Sequence, residues 1–228
     1  MTSPLPAAVL WDMDGTLVDT EPYWMAAETP LVESFGGTWS HEQALQLVGL
    51  GLEDSARIFQ AAGVRMSVPD IIDHLTDRVV ESLAVTGVPF RPGARELLSD
   101  LKARGVKTAL VTMSIRRMAD RVVSLMPAGT FDVVIAGDDV ERPKPFPDAY
   151  LDACAALEVD PADCVAIEDS PNGLRAAIAS GAVSLGVPLM LPLDGVGADA
   201  LWPTLEGRTS DDLGALLAAH ARPTEGAR

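Results

Sequence analysis

Residues 7–18 read Ala7-Ala8-Val9-Leu10-Trp11-Asp12-Met13-Asp14-Gly15-Thr16-Leu17-Val18. The first five are apolar, which suits a buried strand. Two carboxylates follow at once, then Gly15 and Thr16. Acids at the C-terminal end of such a strand stand where open α/β sheets bind ligands. Residues two apart on an extended chain project from one face. Asp12 and Asp14 would therefore repel each other unless a cation or a shared proton relieves them. The pairing suits a nucleophile and a general acid working beside a metal ion.

Outward from this stretch, similar apolar runs recur at 108–112, 133–136, 164–167 and 182–187. Helix-like patterns fill 94–104, 115–125, 147–157 and 172–180, and Gly105 and Gly181 stand where helices should stop. This alternation predicts an α/β fold, a parallel sheet with helices on both faces. Residues 20–90 break it. There Leu52, Ala56 and Phe59, then Ile72, Leu75, Val79 and Leu83, recur at helical spacing, with no strand pattern. We read an all-helical insert, with Pro22 at one junction and Pro89 and Pro92-Gly93 at the other. The expected organisation is a core of residues 1–19 and 91–222, a helical cap of 20–90, and a frayed tail of 223–228. Pro30 is expected to end or kink the first insert helix. Residues 188–208, rich in Leu, Pro and Gly, have no clear reading.

The chain has 228 residues, of which 48% are hydrophobic, enough for a sizeable core. Its formal net charge of −16 repels nucleic acid and anionic lipid, so neither is an expected partner. No apolar stretch is long enough to span a membrane. Met1–Pro6 lacks a basic region followed by an apolar one, so no signal peptide is expected and a cytoplasmic location is the default. The two cysteines, Cys154 and Cys164, read as buried free thiols. The acidic surface also repels anionic substrates, so a phosphate site must be built locally. Only three lysines exist, Lys102, Lys107 and Lys144.

Three further elements carry chemistry. Thr112 ends its apolar run, where a hydroxyl can bond a phosphate oxygen, although a plain helix cap would use the same residue. Lys144 lies in Arg142-Pro143-Lys144-Pro145-Phe146-Pro147-Asp148. Flanking prolines present it on a stiff loop, as a point charge for phosphate or as a solvated side chain. Glu168-Asp169 ends the run at 164–167, before Ser170-Pro171-Asn172-Gly173. With Asp12 and Asp14 these acids make an oxygen-rich cluster that suits Mg²⁺ better than zinc.

In this order, Asp12-Met13-Asp14-Gly15-Thr16, Thr112, Lys144 and Glu168-Asp169 make the chain resemble the haloacid dehalogenase superfamily, in its phosphatase branch. The resemblance implies a Rossmann-like core, and the insert falls where that family places its helical cap. It implies that Asp12 attacks phosphorus and that Asp14 protonates the leaving alkoxide, then deprotonates water. Side chains of Asp12 and Asp169 and the Asp14 carbonyl would hold Mg²⁺, with Glu168 as a ligand or one water away. Thr112, Met113 and Lys144 would hold the phosphoryl group. A small phosphorylated metabolite of the sugar-phosphate class is the implied substrate; a monomer or weak homodimer is expected.

Within the superfamily, Asp14 favours phosphoryl transfer over dehalogenation, and a cap without lysine lacks the Schiff base of phosphonate cleavage. Hexose-phosphate mutases of this type resemble the chain closely. They carry histidine, lysine and arginine where Trp24, Val48 and Leu52 stand here, which favours transfer to water. Glu21, Trp24, Leu50, Leu52 and Ser55 are the cap candidates for substrate selection, although Trp24 and Leu52 would equally serve packing. His41 and His74 read as surface or capping residues. A non-catalytic module that binds a phosphorylated ligand is the remote alternative.

Overall fold

The computed structural model describes residues 4–220; the expected tail at 223–228 lies outside them. Strands β1 (Ala8–Trp11), β2 (Lys107–Val111), β3 (Val133–Ile135), β4 (Cys164–Glu168) and β5 (Val183–Gly186) fall on the five apolar runs. A sixth, β6 (Ala200–Leu201), joins one edge. All pair in parallel, in the order β3-β2-β1-β4-β5-β6. The chain leaves β1 towards β2 and β3, then returns to β4 on the other side of β1. The C-terminal end of β1 is thus the topological switch point, where a crevice opens.

Alternate strand residues serve opposite faces. Val9, Trp11, Leu110, Val165 and Ile167 join one core, with Leu97 and Leu101 of α5 (Ala94–Ala103), Met118 of α6 (Arg116–Ser124) and Leu213 of α9 (Ser210–His220). Ala8, Leu10, Ala109, Val111 and Ala166 join the other, with Tyr150 of α7 (Asp148–Leu157) and Ala177 of α8 (Pro171–Ser180). Cys154 and Cys164 are free and buried in this second core, as the composition suggests.

Between β1 and α5 the chain forms four helices: α1 (Glu21–Ser34), α2 (His41–Leu45), α3 (Leu52–Ala61) and α4 (Val68–Thr86). The core is therefore α/β, with an inserted all-helical cap. The two connectors run side by side: Asp19 N–H donates to Pro89 O at 2.8 Å and Arg91 N–H to Leu17 O at 3.0 Å.

Three features go beyond the expectations. Helix α1 does not end at Pro30 but runs four residues further, because Leu31 and Val32 beyond it are buried. That packing outweighs the roughly 3 kcal/mol cost of an interior proline. Residues 188–208 include β6, stitched on where Asp199 accepts from Ser184 N–H and Oγ, each at 2.8 Å. Helix α9 had no sequence signal. Gly214 interrupts its pattern because a Cβ there would lie 2.7 Å from Pro4 O. His41 is exposed at the start of α2, whose cap is Ser40, paired reciprocally with Gln43.

Candidate active site

Three strand ends and one loop build the site. Asp12 follows β1 directly, its N–H bonded to Ile167 O of β4 at 3.0 Å. Glu168 ends β4 and Asp169 follows it. Thr112 follows β2, its N–H bonded to Ile135 O at 2.9 Å. Lys144 reaches in from its proline-rich loop and is buried, not solvated. Its Nζ donates to Asp12 Oδ1 at 2.6 Å, Glu168 Oε1 at 2.6 Å and Val111 O at 2.9 Å. Tyr150 Oη adds a second donor to Glu168 Oε1, at 2.6 Å.

This leaves Asp12 Oδ2 buried with no hydrogen-bond partner among the described residues. One carboxylate oxygen from each of Asp12, Glu168 and Asp169 lies within 4.8 Å of the others. Gly15 is required beside them, since a Cβ there would stand 2.0 Å from Asp169 Oδ2. Its φ of +85° is also one that side chains resist. Hard oxygens, an orphaned lone pair and surplus negative charge fit Mg²⁺. The Asp14 carboxylate is not part of this cluster.

Electrostatics report the same strain. Burial pushes the Asp12 carboxyl up to about 7; the Glu168 charge adds to this and Lys144 opposes it. Burial, then the charges of Asp12 and Glu168, raise Asp169 well above the usual carboxylate range. Burial alone would lower the Lys144 ammonium, but Asp12 and Glu168 outweigh it and hold the proton on. A cation at the cluster would return the acids to their ionised forms.

Asp14 faces the same cavity and is tied at both oxygens. Trp24 Nε1 (3.3 Å) and the Thr20 hydroxyl donate to Oδ1. Ser114 Oγ (2.7 Å) and, at greater length, Thr112 Oγ1 (3.4 Å) donate to Oδ2. Met113 lines the cavity as well, and no described protein group accepts its N–H. Across the cavity, all five cap candidates form the wall: Glu21, Trp24, Leu50, Leu52 and Ser55. Leu52 is only partly buried; the packed stripe of α3 begins instead at Ser55, Ala56 and Phe59. Burial, then the Asp14 charge, push Glu21 up to about 8.

The sequence and the fold have counterparts among known proteins. A family described as haloacid dehalogenase-like hydrolase matches residues 6–181. The chain belongs to that family. It is 32% identical over 185 residues to hexitol phosphatase B of Escherichia coli (strain K12), covering 79% of this chain and 83% of that one. It is 30% identical over 200 residues to beta-phosphoglucomutase of Bacillus subtilis (strain 168), covering 84% and 87%. Among solved structures, CbbY from Rhodobacter sphaeroides in complex with phosphate superposes with a TM-score of 0.83 at 30% identity, over 92% of this chain and all of that one.

Several residues around this cavity carried little or no sequence signal for their contacts. Thr20 sits at the N-cap of α1 but gives its hydroxyl to Asp14 instead of capping the helix. Tyr150 reads as a core aromatic of α7. Arg91 bridges the connector to the motif, donating to Gly15 O at 2.9 Å and Pro188 O at 3.3 Å. Ser114 had a signal only in following Thr112 by two. Asn172 ties the motif to the cap through Gly49 O, at 2.9 Å.

Proposed function

We propose that this chain is a Mg²⁺-dependent phosphomonoesterase that acts on a small phosphorylated metabolite of the sugar-phosphate class. The observation that carries this is the shared cavity of Asp12 and Asp14, with Lys144 behind Asp12 and apolar cap residues opposite. Asp12 forms a bond to phosphorus as the ester P–O bond breaks, and Asp14 gives its proton to the departing oxygen. Asp14 then takes a proton from water, whose oxygen displaces Asp12 from phosphorus and frees inorganic phosphate. Lys144, Thr112 and the Met113 N–H bind the phosphoryl oxygens, and the N-terminus of α8 adds a favourable field for an anion. Asp12, Asp169 and the Asp14 carbonyl would hold Mg²⁺, with Glu168 nearby. The ion would supply positive charge that offsets the phosphate and the crowded acids. A cytoplasmic monomer or weak homodimer completes the reading; among the described residues no helix is long and apolar enough to cross a membrane.

Hydrolysis of p-nitrophenyl phosphate with added Mg²⁺ tests this. Asp12→Asn should lower kcat by about 10⁴-fold or more while leaving the circular dichroism spectrum intact. Chelator should stop the wild type, and Mg²⁺ should restore it. A variant as active as the wild type would refute the mechanism.

The mutase relative supports a second reading. Against it, Trp24 and Val48 are buried apolar residues, and Leu52 is an apolar residue of the cavity wall. Conversion of β-glucose 1-phosphate to glucose 6-phosphate, primed with the 1,6-bisphosphate, would establish mutase activity; release of phosphate alone would exclude it.

A further inference from the structure

The chemistry at the strand ends leaves two acids of the cavity, Glu21 and Glu28, without a task. Glu28 lies on α1, seven residues after Glu21 and four after Trp24, so the three share one helix face. It stands on the order of 10 Å along the helix from Glu21. Only 5% of it is exposed, yet it lines the cavity. Its Oε2 accepts from Trp39 Nε1 at 3.0 Å. Trp39 is itself packed on Phe59, with ring centroids 4.8 Å apart. No described protein group donates to Oε1. The nearby lining is apolar, with Leu47, Phe59, Ile71 and Leu75. A carboxyl group buried in such surroundings with a single donor is costly unless something else meets it. Among the described residues no Lys, Arg or His lines the cavity to do so, and Lys144 lies behind Asp12, already paired with it.

We propose that Glu28 is the distal receptor of this cavity. Its Oε1 accepts a hydrogen bond from a hydroxyl or ammonium group at the far end of the leaving group. Phosphomonoesters whose far end is anionic are excluded. The inference rests on the phosphomonoesterase reading and names the leaving group that reading leaves open. The apolar walls suit carbon between the two ends. A second phosphate or a carboxylate would reach a carboxyl group with no cation to receive it.

Glucitol 6-phosphate and 6-phosphogluconate differ only at the far carbon, which bears a hydroxymethyl group in one and a carboxylate in the other. The wild type should favour the polyol in kcat/KM by about tenfold or more. In Glu28→Ala that ratio should fall by about tenfold, mainly through KM for the polyol. An enzyme that cleaves p-nitrophenyl phosphate but shows no preference for the polyol overturns this inference alone. A folded Glu28→Ala variant that keeps the wild-type ratio also overturns it. If Glu28→Ala does not fold, the wild-type ratio decides. Failure to cleave all three esters overturns the phosphomonoesterase reading itself.

Discussion

On the sheet side of the cavity, buried charges are tied to one another: Lys144 bridges Asp12 and Glu168, and Tyr150 and Thr16 add donors to Glu168 and Asp169. On the cap side, α1 and α3 present Trp24, Leu52 and Ser55, the loop before α3 presents Leu50, and only Glu21 and Glu28 are ionisable. In the proposed function the sheet side meets a phosphate of fixed shape, which rigid cross-ties suit. The cap side, which would meet the variable part of the substrate, offers shape, apolar contact and few polar atoms. In the proposed function one wall sets the reaction and the other selects what undergoes it.

Breaking the sheet side should therefore have the largest effect. Lys144→Met leaves Asp12 and Glu168 buried without their shared cation, which should cost roughly 3–5 kcal/mol of stability. It also removes the proposed phosphate contact, so kcat should fall by about 10²-fold or more. Urea unfolding and steady-state kinetics measure the two; a stable, fully active variant would break the comparison.

The cap should respond more weakly, and in one case with opposite sign. The folded-state pKa of Glu21 is raised to about 8 by burial and Asp14. A raised carboxyl contributes stability that is full below its unfolded pKa and lost as pH rises through the folded one. Without metal, Glu21→Gln should therefore match the wild type near pH 4 and exceed it by roughly 1–3 kcal/mol near pH 8. Paired thermal melts across that range provide the check, and an equal pH dependence would show that Glu21 is not strained.

The smallest effect belongs to the surface tie between the walls. Arg117 of α6 pairs with Asp77 at 2.6 Å and Asp73 at 3.0 Å on α4. All three are exposed, so Arg117→Ala should cost less than about 1 kcal/mol, and the difference should vanish in high salt. A large, salt-independent loss would mean that the cap is held by this contact.

The same division explains what the sequence revealed. Asp12, Asp14, Glu168 and Asp169 were legible because each stands at, or just beyond, the end of an apolar run. A strand end fixes position within a residue or two, and the parallel sheet brings such ends together. Thr20 was hidden because a threonine before a helix looks like a cap. Tyr150 and Glu28 were hidden because helical spacing does not reveal which neighbour a buried side chain meets. Phe59, Ile72 and Leu75 recur at helical spacing in the cap, and all three line the cavity. Periodicity marks an apolar face without saying whether protein or ligand covers it.

The central claim is that Asp12 becomes phosphorylated. Acid quench during turnover, borohydride reduction and peptide mass spectrometry test it directly, because reduction of an aspartyl-phosphate yields homoserine. The account predicts homoserine at position 12, only when substrate and Mg²⁺ were both present. An intact Asp12 throughout turnover, or the modification at another residue, would contradict it.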